Sequence, residues 1–128
     1  LLFSFKSDSI CLGVIRLNYV NSEYIDIDDA LKRVGGNAGL YHKLLGRFLD
    51  SKPLGELEKA LEHGTPEEAS RAVHSMKGVA ANLSLIKLRA VSAELELLIK
   101  DGLDHTAKLE ELKDVYNVTE QIISEIQS

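Results

Sequence analysis

The sequence predicts an all-α protein: an antiparallel up-down-up-down four-helix bundle with a short extra helix at its N-terminal end. Three observations predict it. From about residue 26 onward Leu, Ala, Glu and Lys dominate, a mix that favours helices. Apolar residues then recur at spacings of three and four, with no sustained alternation of period two. Short turn signals separate the periodic stretches, and short connections make consecutive helices antiparallel neighbours. A chain of 128 residues suits one domain, with residues 26–128 forming the bundle. Residues 1–25 are richer in Ser, Phe and β-branched residues and lack the period, so they read as an extension or linker.

Each element follows from its own signals. Asp26 or Asp28 can cap a short helix to about Val34, which Gly35-Gly36-Asn37 then stops. Leu40, Tyr41, Leu44, Leu45, Phe48, Leu49, Leu54, Leu57 and Leu61 form one stripe from Ala38 to about His63. Pro53 interrupts that stripe, but the phase resumes, which favours one long kinked helix over two. Gly64 ends it. Thr65-Pro66-Glu67-Glu68 starts the next, with Thr as N-cap, Pro in the first turn and acids at the positive dipole end. That helix should run to about Ala81, followed by a turn over residues 82–84. Leu85, Leu88, Val91, Leu95 and Leu98 mark a fourth helix, ended by Asp101-Gly102. Asp104 can cap the last, whose inner face carries Leu109, Leu112, Val115, Thr119, Ile122 and Ile126.

Charge and cysteine content narrow the function classes. A net charge of −5, with no run of Lys and Arg among aromatics, argues against nucleic acid as a partner. Cys11 is the one cysteine, so it can form neither an internal disulfide nor a CxxC metal clamp. No apolar stretch approaches the roughly 20 residues of a spanning helix, so no direct membrane contact is expected. A cytoplasmic location fits, either alone or as a domain of a membrane-tethered protein.

One stretch does not behave like ordinary helix. In "VHSMKG", residues 73–78, a glycine stands in mid-helix, where it costs about 1 kcal/mol relative to Ala. On a wheel of about 100° per residue, Ala69, Ala72, Val73, Met76, Ala80 and Leu83 gather on the core side. His74 lies roughly 150° away and should face solvent. Ser70, Gly78 and Ala81 share its side, and Lys77 stands one turn on. An imidazole in a patch of small residues suits the close approach of a partner macromolecule. Lys77 could steady a phosphoryl group on the ring; at about 4 Å in water one unit pair contributes about 1 kcal/mol.

These residues resemble the histidine-containing phosphotransfer (HPt) domain family of phosphorelays. In "VHSMKGVAANLS", His74, Lys77, Gly78, Asn82 and Leu83 match the family motif in register. "GGN" with "LYHKLLGRF" before it, and "LRAVSAELE" after it, extend the likeness to about residues 26–118. Val73 departs from the usual Ala, and Ser84 from a frequent Gly; Ser84 could instead cap the fourth helix. The resemblance implies that His74, through Nε2, accepts a phosphoryl group from a receiver-domain aspartyl phosphate and passes it to another receiver Asp. It implies Lys77 as a stabilising cation and Ser70, Gly78 and Ala81 as docking surface, with further apolar contacts on the long second helix. Partners would be response-regulator receiver domains and a hybrid sensor histidine kinase. The domain would need no cofactor of its own, Mg²⁺ being supplied by the receiver.

Other classes fit less well. No GxxxxGK[ST] or GxGxxG loop is present, so the chain should not phosphorylate itself from ATP. His42, His63, His74 and His105 lack the spacing of a bundle metal site. A scaffold that binds a signalling partner without chemistry is the alternative, resting on acidic stretches such as "ELEKALEHG" that usually form solvated faces.

Overall fold

The computed structural model describes residues 22–127. Expectations for residues 1–21, and with them most of the extension, lie outside the described residues. The elements are α1 (Ile27–Arg33), α2 (Ala38–Ser51), α3 (Pro53–His63), α4 (Pro66–Asn82), α5 (Ile86–Lys100) and α6 (Thr106–Gln127). The fold is an all-helical bundle, as the periodicity predicts.

Local chemistry sets the boundaries. Asp26 caps α1, its carboxylate accepting the Asp29 N–H at 3.0 Å. Gly35 and Gly36 then turn the chain through positive φ, and the Asn37 side chain caps α2 by accepting the Leu40 N–H. Helix α4 opens with a full capping box. Thr65 Oγ1 accepts the Glu68 N–H and Glu68 Oε1 accepts the Thr65 N–H, both at 3.2 Å, while Pro66 occupies the first turn. Asp104 precedes α6 and accepts the Thr106 N–H at 3.0 Å.

Two expectations need correction. The stretch from Ala38 to His63 is two helices, not one kinked helix. Lys52 sits at φ 48, ψ 58 between them. Pro53 offers no N–H to the preceding turn, and a residue before proline is disfavoured in right-handed helix. The stripe keeps its phase across the break because both helices face the same core. The second correction concerns Ser84, which does not cap the fourth helix. Leu85 is the N-cap of α5 and makes no side-chain cap bond. Ser84 itself takes φ 56, the left-handed region that favours glycine. Its hydroxyl donates to Asp29 Oδ2 at 2.7 Å, and its carbonyl accepts the Asp26 N–H at 3.1 Å. Ile86 N–H donates to the Tyr24 carbonyl at 2.8 Å. The α4–α5 turn is thereby stitched to the chain leading into α1.

The core draws on every helix. Ala69, Val73, Met76 and Ala80 of α4 are buried with Leu45 and Phe48 of α2 and Leu57 of α3. Leu88, Val91, Leu95 and Ile99 of α5 meet Leu112, Val115, Tyr116, Ile122 and Ile123 of α6. Helix α4 packs between α3 and α5, α5 also packs on α6, and α6 returns to α2. The Tyr41 hydroxyl donates to the Leu83 carbonyl at 2.8 Å, tying α2 to the end of α4. Burial of this apolar surface is the main source of stability.

Candidate functional site

The core face of α4 fixes what the opposite face shows. With Val73 and Met76 buried, His74 points outward and 65% of its side chain is exposed. The ring is nevertheless held. Its Nδ1 lies 2.8 Å from Glu96 Oε2 on the neighbouring helix α5. Glu96 is a buried carboxylate, its side chain 4% exposed. Lys77 Nζ reaches its Oε1 at 2.8 Å, and Lys100 Nζ reaches its Oε2 at 3.1 Å.

A buried carboxylate with three donors is a coherent unit. Burial pushes the Glu96 carboxyl up, but hydrogen bonds from Lys77, Lys100 and His74 outweigh it and hold the group at about 2. Glu96 is therefore ionised and can only accept. The hydrogen between it and His74 must sit on Nδ1. In the neutral ring this leaves Nε2 with a free lone pair, on the side away from Glu96. The site thus presents an oriented nitrogen nucleophile beside two ammonium groups.

Glu96 and Lys100 escape the sequence reading, although a signal for them exists. Position 96 lies four residues after Ser92 and three before Ile99, both buried on the inner face of α5. A glutamate in that stripe demands a partner. Lys77 stands one turn from His74, as expected, but its ammonium is committed to Glu96.

The predicted docking residues are partly brought together. Gly78 and Ala81 line one groove beside Lys77, completed by Ile86, Arg89, Ala90 and Ala93 of α5. Ser70 is half-buried and lines neither this groove nor a second one on the other side of α4. That second groove runs over Phe48, Pro53, Ala72, Met76 and Val79. Val79 and Ile86 are exposed large apolar residues flanking the site. Of the exposed apolar surface expected on the long second helix, Leu40 is the large apolar residue exposed there among the described residues, and it lines neither groove; Phe48 reaches the second groove but is itself buried. A Cβ built at Gly78 meets no atom within 4 Å. The glycine is not required by packing inside the domain.

Among the described residues, no group of three or more His, Cys, Asp or Glu side chains is placed to hold a metal ion. No helix among them is long and apolar enough to cross a membrane.

No curated protein and no solved structure gives a significant match. The family model of the Hpt domain matches residues 43–128, which takes in α3 to α6 and most of α2. That match spans well over half of the chain, and with it the chain belongs to the Hpt domain family, the phosphocarriers of two-component signalling.

Proposed function

We propose that this domain is a phosphorelay intermediate whose phosphoacceptor is His74. The single observation that carries the reading is an exposed imidazole with Nδ1 tied to an ionised, buried carboxylate. A receiver domain bearing an aspartyl phosphate docks over α4. The Nε2 lone pair attacks phosphorus, the N–P bond forms, and the P–O bond to the receiver aspartate breaks with its electron pair leaving on the carboxylate. No proton has to leave Nε2. The ring becomes cationic as it attacks, and Glu96 faces that charge from 2.8 Å. The reverse step delivers the phosphoryl group to a second receiver Asp. The receiver would supply the Mg²⁺ whose charge offsets that of the phosphoryl oxygens; no residue of this domain is required to hold it.

Lys77 adds positive charge one turn away. Gly78 and Ala81 leave room for the receiver, and Val79 and Ile86 offer apolar contacts at the rim of the grooves. The ATP-dependent step belongs to a sensor kinase, which we place with the receivers as cytoplasmic partners. Nucleic acid and membrane have no part in this reading.

Receivers phosphorylated on Asp, incubated with the domain, should transfer label that is acid-labile and base-stable. His74→Gln should abolish it. Labelling that survives His74→Gln removes this residue from the role and leaves a scaffold as the better reading.

A further inference from the structure

The site holds two ammonium groups for one carboxylate, one more cation than Glu96 needs as a counter-ion. With a neutral ring, Glu96, Lys77 and Lys100 together carry one net positive charge. Transfer adds a PO₃⁻ unit, which brings the local total to zero. The surplus cation therefore matches the charge of the transferred group.

The two lysines are not equivalent. Lys77 sits 2.8 Å from Oε1, an oxygen that the ring does not use, and its side chain is 32% exposed. Lys100 sits 3.1 Å from Oε2, the oxygen that also holds Nδ1, and its side chain is 56% exposed. Its ammonium is thus two hydrogen bonds from the imidazole, shared on a crowded oxygen, at the end of a flexible four-carbon stem. Helix α5 ends at Lys100, so that stem projects from the last turn.

Resting on the phosphocarrier reading, we infer that Lys100 is the cation that meets the phosphoryl group on His74, while Lys77 stays behind as the counter-ion of Glu96. On phosphorylation Lys100 leaves Oε2 and donates to phosphoryl oxygens. Oε2 is then free for Nδ1–H of the phosphorylated ring. Lys77 acts on the phosphoryl group only at longer range, and its main part is to position Glu96. Contact from Lys100 stabilises the phosphohistidine against hydrolysis, because a loose transition state carries less charge on the phosphoryl oxygens than the ground state does.

Phosphoramidate is a probe that bypasses the receiver: Nε2 attacks its phosphorus, the P–N bond breaks and ammonia leaves. The domain is phosphorylated this way, desalted, and the decay of phospho-His74 is followed by ³¹P NMR. Lys100→Met should shorten the half-life about threefold, the scale of one partly exposed charge contact. Lys100→Arg should restore most of it, and Lys77→Met should lie closer to wild type. The ¹⁵Nζ resonance of Lys100 should move on phosphorylation more than that of Lys77. Decay of Lys100→Met at the wild-type rate, or a larger effect from Lys77→Met, overturns the assignment while leaving the phosphocarrier reading intact. No phosphohistidine on wild type, from phosphoramidate or from phosphorylated receivers, takes down that reading and this inference with it.

Discussion

Glu96 and Asp29 each tie helix α4 or its end to another part of the chain, and the two carboxylates are held in opposite ways. Glu96 lies in the core-facing side of α5, nearly out of water, with an imidazole and two ammoniums around it. Asp29 lies on α1 with nearly half its side chain in water, bonded to Ser84 Oγ at 2.7 Å and Arg33 Nε at 2.9 Å. Hydrogen bonds from Ser84 and Arg33 hold its carboxyl below the usual range. Water can replace what Asp29 loses. It has little access to Glu96, so the same chemical group becomes a fixed part of the site in one place and a surface fastening in the other.

The largest expected effect comes from Glu96. Its folded-state carboxyl titrates at about 2 against an ordinary 4.5. A depressed value contributes stability that is present above about pH 4.5 and is lost as pH falls towards 2. The shift corresponds to on the order of 3 kcal/mol. Glu96→Gln should therefore lower stability at pH 7 by up to about that amount, and the gap to wild type should narrow to less than about half by pH 3. Urea unfolding at the two pH values measures this, and a gap independent of pH would contradict it. The same variant should slow phosphotransfer about tenfold or more, because a neutral amide faces the cationic ring less favourably.

Gly78 should separate fold from function. Gly78→Ala should raise stability by about 1 kcal/mol, since the new Cβ meets open space and helix propensity improves. Gly78→Leu should leave the circular dichroism spectrum unchanged yet slow transfer about tenfold or more, as a misplacement near 1 Å can do. Normal transfer in Gly78→Leu would remove the close-approach argument.

On the Asp29 side the effects should be smaller. Ser84→Ala keeps the left-handed strain and loses the hydroxyl. Ser84→Gly loses the hydroxyl but relieves the strain, so it should be the more stable of the two by about 1 kcal/mol in thermal unfolding. Arg33→Met should change the melting temperature least of all. A loss there as large as that of Glu96→Gln would erase the contrast between the two carboxylates.

Much of the bundle is legible in the sequence because helices announce themselves at their ends. Thr65-Pro66-Glu67-Glu68, Asn37 and Asp104 sit at or beside the boundaries their chemistry implies. The one misjudged element is Ala38 to His63, where an unbroken apolar phase outweighs Pro53 in the reading; the backbone obeys the proline. For the site, the wheel places His74 outward because its neighbours are apolar. Glu96 is harder to see. Its α4 partners lie 22 and 19 residues away, and the sequence of α5 shows it only as one of two acids, beside Glu94. What marks it is its place between Ser92 and Ile99, a placement that matters only once the inner face of α5 is drawn. Ser84 is similar, since its bond to Asp29 spans 55 residues.

The empty volume over Gly78 also makes this position an engineering handle. A larger side chain there acts as a bump that the domain itself tolerates, and a receiver trimmed at the facing position would supply the matching hole. Such a pair would exchange phosphate with each other and be insulated from their unmodified counterparts, so one missing methyl group sets the terms on which a private signalling channel could be built.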